Sequence, residues 1–154
     1  MAQILLIDHN PQIRALLKVL IEAQPGWQVC GEAADGQEGV DKAIALKPDL
    51  VIVDFSMPIL NGLQVASKIL ETRPSLPVIL CTIHFFPEMI AEARKVGIRK
   101  VVNKSDAAAQ LLEIMASLLK EQPPAIANGL NSSPQLELSD PTTATDKDRP
   151  PEVN

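Results

Sequence analysis

The sequence predicts an α/β domain built on a doubly wound parallel sheet, and three observations carry that prediction. Short β-branched runs alternate with helical patterns five times over residues 1–120. The runs are apolar at consecutive positions, as strands covered on both faces must be. Turn and capping residues punctuate the pattern at short intervals. Five strands alternating with five helices imply right-handed βαβ crossovers.

Each element has its own warrant. Gln3–Ile7 is a continuous apolar run that stops at Asp8. Pro11 follows, where the first turn of a helix tolerates it. Ile13, Leu16, Leu17, Leu20 and Ile21 then recur at helical spacing until Pro25-Gly26 ends the helix. Trp27–Ala33 reads as the second strand. Gly36–Leu46 reads as a helix with Val40, Ala43, Ile44 and Leu46 turned inward. Leu50–Val53 is a third buried run, again ending at an aspartate, Asp54. After Asn61-Gly62 a helix is expected from about Leu63 to Glu71, and Pro77–Thr82 is the fourth strand. Pro87–Val96 is a helix stopped by Gly97, a common C-terminal residue because it accepts the left-handed conformation. Lys100–Asn103 is a short fifth strand. Ala107–Lys120 is the last helix, with Leu111, Ile114, Met115 and Leu118 on one face.

Composition bounds the rest. At 154 residues and 46% hydrophobic, the chain has material for one cored domain. Its net charge of -5 supplies no basic field for nucleic acid, so direct DNA binding is not expected. Beyond residue 120 the pattern ends: the segment 121–154 holds six of the 13 prolines and a net charge of about -4. Such a segment buries too little apolar surface to offset its ordering entropy, so a disordered, proline-rich acidic tail is expected, with no output domain. Cys30 and Cys81 sit in apolar runs and read as reduced core thiols. The start of the chain lacks a basic leader, and no apolar run is long enough to span a membrane. A cytoplasmic protein is therefore expected.

In doubly wound sheets chemistry gathers beyond the carboxyl ends of the strands. That rule selects Asp8 and His9 after the first strand, Asp54 at the third, Thr82 at the fourth and Lys104 after the fifth. Two neighbouring carboxylates repel unless a cation lies between them. Mg²⁺, held by carboxylates and phosphate oxygens, meets that need. Lys104 is a point cation suited to a phosphoryl oxygen, and the Thr82 hydroxyl can donate to another. An aspartate beside a metal, a lysine and a hydroxyl can accept a phosphoryl group. The plainer alternatives are a helix-capping Asp8, a turn-forming Asp54, a Thr82 that merely ends a strand and a solvated Lys104.

Five stretches in order carry a resemblance: Ile7-Asp-His-Asn-Pro11, Glu32-Ala-Ala-Asp-Gly36, Asp54-Phe-Ser-Met-Pro58 with Asn61-Gly62, Cys81-Thr-Ile-His84 and Asn103-Lys-Ser-Asp106. Residues 1–120 resemble a response-regulator receiver, of the kind that precedes a helix-turn-helix output. The resemblance implies a flavodoxin-like (βα)5 fold with strand order 2-1-3-4-5. It implies that Asp54 is the phosphoacceptor, that Asp8 and Asp54 with the Ser56 main-chain carbonyl hold Mg²⁺, that Thr82 is the switch hydroxyl and that Lys104 is its cationic partner. Ser56 and His84 would flank the hydrolytic water and set the lifetime of the phosphoryl group.

Two departures stand out. The second place of the acidic pair is His9, whose imidazole is a poor ligand for Mg²⁺ and favours softer metals, so weaker Mg²⁺ binding is expected. Where receivers carry an aromatic switch residue on the fifth strand, this chain has Val101, and it has no tyrosine. Of Phe85 and Phe86, one is expected in the core and the other on the loop surface. The function so implied is two-component phosphorelay signalling. A histidine kinase or phosphotransfer protein donates to Asp54, and output passes through contact with a downstream protein. The chain itself would be no enzyme, only a phosphoacceptor that assists its own phosphorylation and dephosphorylation, as a monomer or weak homodimer. The competing reading is a phosphorylation-independent interaction module. A cofactor binder is disfavoured, because no glycine-rich phosphate loop follows the first strand.

Overall fold

The computed structural model describes residues 1–83 and 85–121. The expected lifetime residue His84 and the expected tail from 122 onward lie outside the described residues. Five parallel strands form one sheet: β1 (Ala2–Ile7), β2 (Trp27–Ala33), β3 (Leu50–Asp54), β4 (Val78–Thr82) and β5 (Lys100–Asn103), in the order β2-β1-β3-β4-β5. The helices α1 (Pro11–Glu22), α2 (Gly36–Leu46), α3 (Gly62–Thr72), α4 (Pro87–Val96) and α5 (Ala107–Glu121) alternate with them. The doubly wound architecture and its strand order are as expected. The order reverses between β1 and β3, and a crevice opens at such a switch point.

The central strands are buried on both faces. Ile4 to Ile7 are at most 1% exposed, and all of β3 and β4 is buried. Strand alternation divides their side chains between two cores. Leu5, Ile7, Val51, Val53 and Leu80 face Val40, Val65, Ile69 and Met89 of α2, α3 and α4. Ile4, Leu6, Ile52 and Ile79 face Leu17, Ile21, Leu111 and Met115 of α1 and α5. Each such side chain contributes roughly 1.5–3 kcal/mol by leaving water. Cys81 belongs to the second core, where burial pushes its thiol up to about 12, so it stays protonated. Cys30 is only half-buried.

Three expectations about burial need correction. Ile44 and Leu46 are 51% and 42% exposed. The buried residues of helix α2 form one narrow stripe, Gly36, Gly39, Val40 and Ala43, whereas Leu46 lies over Gly31 of the edge strand β2 and stays partly open to solvent. Phe85 and Phe86 are both largely exposed, so neither is core. They lie in the link before α4, where Phe86 is the N-terminal flanking residue and makes no side-chain cap.

Candidate functional site

The site is assembled by strand ends and by the turns that follow them. β1 releases the chain at Asp8, whose Oδ1 accepts the Asn10 N–H at 2.9 Å. Asn10 in turn caps α1, accepting from the Gln12 and Ile13 amides at 2.9 and 3.3 Å. The capping role considered for Asp8 thus belongs to Asn10, which leaves the Asp8 carboxylate for the crevice. From the first turn of α1, Arg14 donates to the Asp8 carbonyl and pairs with Glu32 at 3.0 Å, locking the loop from behind. Neither Asn10 nor Arg14 was singled out from sequence. Arg14 shares a helix face with Leu17 and Ile21, and that spacing was the available signal.

β3 ends at Asp54, laterally paired with Cys81. The following loop stays tight because Gly62 packs against it: a Cβ there would lie 2.6 Å from the Asp54 carbonyl oxygen and 2.5 Å from Leu80. The Gly62 amide donates to the Phe55 carbonyl at 2.9 Å, and Asn61 and Gln64 cap α3 reciprocally. After β5, Asn103 Oδ1 accepts from the Ser105 amide and hydroxyl at 3.0 and 2.7 Å. That caps a 3₁₀ turn, Lys104–Asp106, and the turn brings Lys104 back over the rim of the sheet.

Three strand ends therefore converge. Lys104 Nζ lies 2.9 Å from Asp8 Oδ2 and 3.2 Å from Asp54 Oδ2. His9 Nδ1 lies 3.4 Å from Asp54 Oδ2 and 3.8 Å from Asp8 Oδ1. The Ser56 amide reaches Asp54 Oδ1 at 3.4 Å, whereas its side chain is exposed. Thr82 ends β4 at 2% exposure, one residue past the neighbour of Asp54. Alternation sets it in line with Leu80, on the face of the sheet opposite to Asp54. Val101 pairs with Leu80 and is half-buried against the α3–α4 core.

The electrostatics are those of a buried like-charge pair with one cation. Asp8 and Asp54 are 5% and 4% exposed. Behind them lies an apolar cavity of about 110 Å³ lined by Ile13, Leu17, Ile52, Cys81 and Ala108. Burial, and next the charge of Asp8, hold the Asp54 carboxyl above its usual range; Lys104 and the Ser56 amide offset this only in part. Burial also works against the charge on Lys104. Its hydrogen bond to Asp8 and the fields of both carboxylates outweigh that cost, so its affinity for the proton rises. Asp54 Oδ2 is fully buried, and although Lys104 and His9 stand within ion-pair distance, no donor among the described residues meets it in hydrogen-bonding geometry. Such an oxygen carries a desolvation cost that a cation in the crevice would relieve. Asp8, His9 and Asp54 each offer one ligand atom, all within 4.8 Å of one another. The residues fit a divalent ion.

Known proteins share this fold. The family profile described as "Response regulator receiver domain" matches residues 4–116. The chain belongs to that family. This receiver is 31% identical to the chemotaxis protein CheY of Thermotoga maritima over 118 residues, which cover 77% of this chain and 98% of that protein. It is 38% identical to the nitrate/nitrite response regulator protein NarL of Escherichia coli over 96 residues, 62% of this chain and 44% of NarL. Among solved structures, the response regulator domain of Thermotoga maritima CheB superposes with a TM-score of 0.73 at 30% identity, covering 80% of this chain and 99% of that one. Receivers act as phosphoacceptors in two-component signalling and typically hold Mg²⁺ at an acidic pocket; in this chain Asp8, His9 and Asp54 lie together as candidate ligands. Among the described residues, no helix is long and apolar enough to cross a membrane.

Proposed function

We propose that this receiver takes a phosphoryl group on Asp54 from a histidine kinase or phosphotransfer protein and passes the signal on by protein–protein contact. The observation that carries the reading is the buried Asp54 Oδ2, turned into a crevice with Lys104 Nζ at 3.2 Å and, among the described residues, without a donor in hydrogen-bonding geometry. A carboxylate so placed is available to attack phosphorus. Lys104 swings only a short way from its two carboxylates to a phosphoryl oxygen, and its tightly held proton keeps it cationic throughout. The Ser56 amide supports the other Asp54 oxygen, and the Ser56 carbonyl is assigned to the metal. A divalent ion, when bound, neutralises the charge gathered between Asp8, Asp54 and the donor phosphate.

Thr82 is assigned as the switch. It stands buried at the strand end next to Asp54, and a new hydrogen bond to the phosphoryl group would draw it across the rim. Val101, two residues before the β5 partner of Thr82, is assigned to the relay, by aliphatic repacking towards β5 and α4. The exposed Phe85 and Phe86, a few residues beyond Thr82, are assigned to the contact that reads it. Ser56 and His84 are assigned to the lifetime of the phosphoryl group. The boundary near residue 120, the cytoplasmic setting and the absence of an activity beyond self-phosphorylation belong to the same proposal.

The test is incubation with acetyl phosphate and a divalent ion, read on a phosphate-affinity gel. The wild type is expected to give one shifted band, and Asp54→Asn none. A band surviving in Asp54→Asn removes the assignment. No band under any ion favours an interaction module that works without phosphate, the reading that His9 at the second acidic position supports.

A further inference from the structure

The ligand set at the rim of the sheet is not that of a pocket made only of oxygens. His9 places an imidazole nitrogen 3.8 Å from Asp8 Oδ1 and 3.4 Å from Asp54 Oδ2. Around an ion with bonds of about 2.1 Å, neighbouring donors stand roughly 3.0–3.4 Å apart. The two pairs that include the imidazole thus need to close by only a few tenths of an ångström, and all three ligand atoms lie within 4.8 Å of one another.

The means to close are present. The His9 side chain is 52% exposed, so its ring can move without repacking the core. The Asn10 amide fixes the Asp8 carboxylate with Oδ1 towards His9, while Oδ2 keeps Lys104. Asp54 Oδ2 is buried and, among the described residues, lacks a donor in hydrogen-bonding geometry, an independent sign that an electrophile belongs there. Two carboxylates and one imidazole on one side of an ion, with the solvent side open, suit borderline first-row ions. Mg²⁺ dehydrates reluctantly and gains little from a nitrogen ligand.

We infer that His9, Asp8 and Asp54 form a centre that takes a borderline divalent transition ion of the Zn²⁺ or Co²⁺ class in preference to Mg²⁺. This deepens the phosphoacceptor reading and rests on the same cluster, but metal binding alone reads it. The exposed imidazole is the selecting group, and the two carboxylates are common to either class of ion.

The experiment is calorimetric titration of the full chain, freed of metal by a chelator, with Zn²⁺, Co²⁺ and Mg²⁺ separately. Co²⁺ binding is followed in parallel by its visible absorption. The wild type is expected to bind Zn²⁺ and Co²⁺ roughly tenfold or more tighter than Mg²⁺. His9→Asp is expected to lose that preference and gain Mg²⁺ affinity, while His9→Ala loses the Co²⁺ bands and gains nothing. Equal or tighter Mg²⁺ binding by the wild type overturns the inference, and so does a Zn²⁺ affinity that survives both His9 variants. Zn²⁺ binding that disappears in His84→Ala would assign the ion to the chain's other histidine and overturn it as well. Circular dichroism of each variant identifies any that does not fold. A receiver that prefers Zn²⁺ yet labels with phosphate under no ion refutes the phosphoacceptor reading alone. One that labels under Mg²⁺ and binds it preferentially refutes the metal preference alone.

Discussion

Asp54 holds a charge where water barely reaches it, beside a second carboxylate and with one ammonium shared between the two. Its proton affinity is raised in the native state by burial first and by Asp8 second, so the folded chain binds that proton more tightly than the unfolded chain does. The sign follows by linkage: this group's contribution is fully favourable below the unfolded carboxylate pKa and is lost as pH rises through the folded one. At neutral pH Asp54 is therefore a cost. Asp54→Asn, without divalent ions, is expected to raise stability by about 1 kcal/mol, checked by thermal melts at pH 7. The gain should vanish in saturating divalent ion, because the wild-type carboxylate is then stabilised by the ion it binds. Lys104→Met is expected to act the other way. It leaves two buried carboxylates uncompensated, at a cost of about 2 kcal/mol, and the loss shrinks as acid neutralises Asp54. Lys104 itself holds its proton more tightly when folded. Its contribution is intact below the unfolded lysine pKa and is lost only as pH rises through the folded value, in the alkaline range.

At the scale of elements, the loop from β3 to α3 carries the most constraint. Gly62 has no room for a methyl group against the Asp54 carbonyl and Leu80. Gly62→Ala is expected to destabilise by about 2 kcal/mol or more, measured by urea denaturation, with loss of phosphoryl acceptance as the loop shifts. Three residues earlier, Ile59 holds φ 73° while 73% exposed. A β-branched side chain in the left-handed region is strained, at roughly 1–2 kcal/mol. Ile59→Asn, which tolerates that conformation, is expected to raise stability by about 1 kcal/mol in the same assay. Sequence placed the start of α3 after Asn61-Gly62 but did not reveal the strain at Ile59, because apolar character says nothing of φ. The burial pattern was legible for β1, β3 and β4, where both faces must be covered. It failed for α2 and for Phe85 and Phe86. A helix over the edge strand β2 buries only part of its apolar arc, and an aromatic pair carries no sign of which side of a loop it takes.

For the molecule as a whole, the alternation of strands and helices sufficed to place Asp8, Asp54, Thr82 and Lys104 at one end of one sheet. Parallel strands must all point their carboxyl ends the same way. Their mutual distances were not legible. The 3₁₀ turn that carries Lys104 onto both carboxylates depends on Asn103 accepting from Ser105, a local choice that spacing does not reveal. Nor could periodicity tell that His9 turns its ring towards Asp54 rather than towards solvent. On the proposed function, a phosphoryl group on Asp54 engages Lys104 and Thr82, and β5 and α4 respond. The most direct measurement is an NMR titration of the full chain with beryllofluoride and a divalent ion. Saturable shifts are expected at Asp54, Thr82 and Lys104 together with Val101 and the residues of α4, all absent in Asp54→Asn. Shifts confined to the immediate neighbours of Asp54, or none at all, would contradict the proposed function.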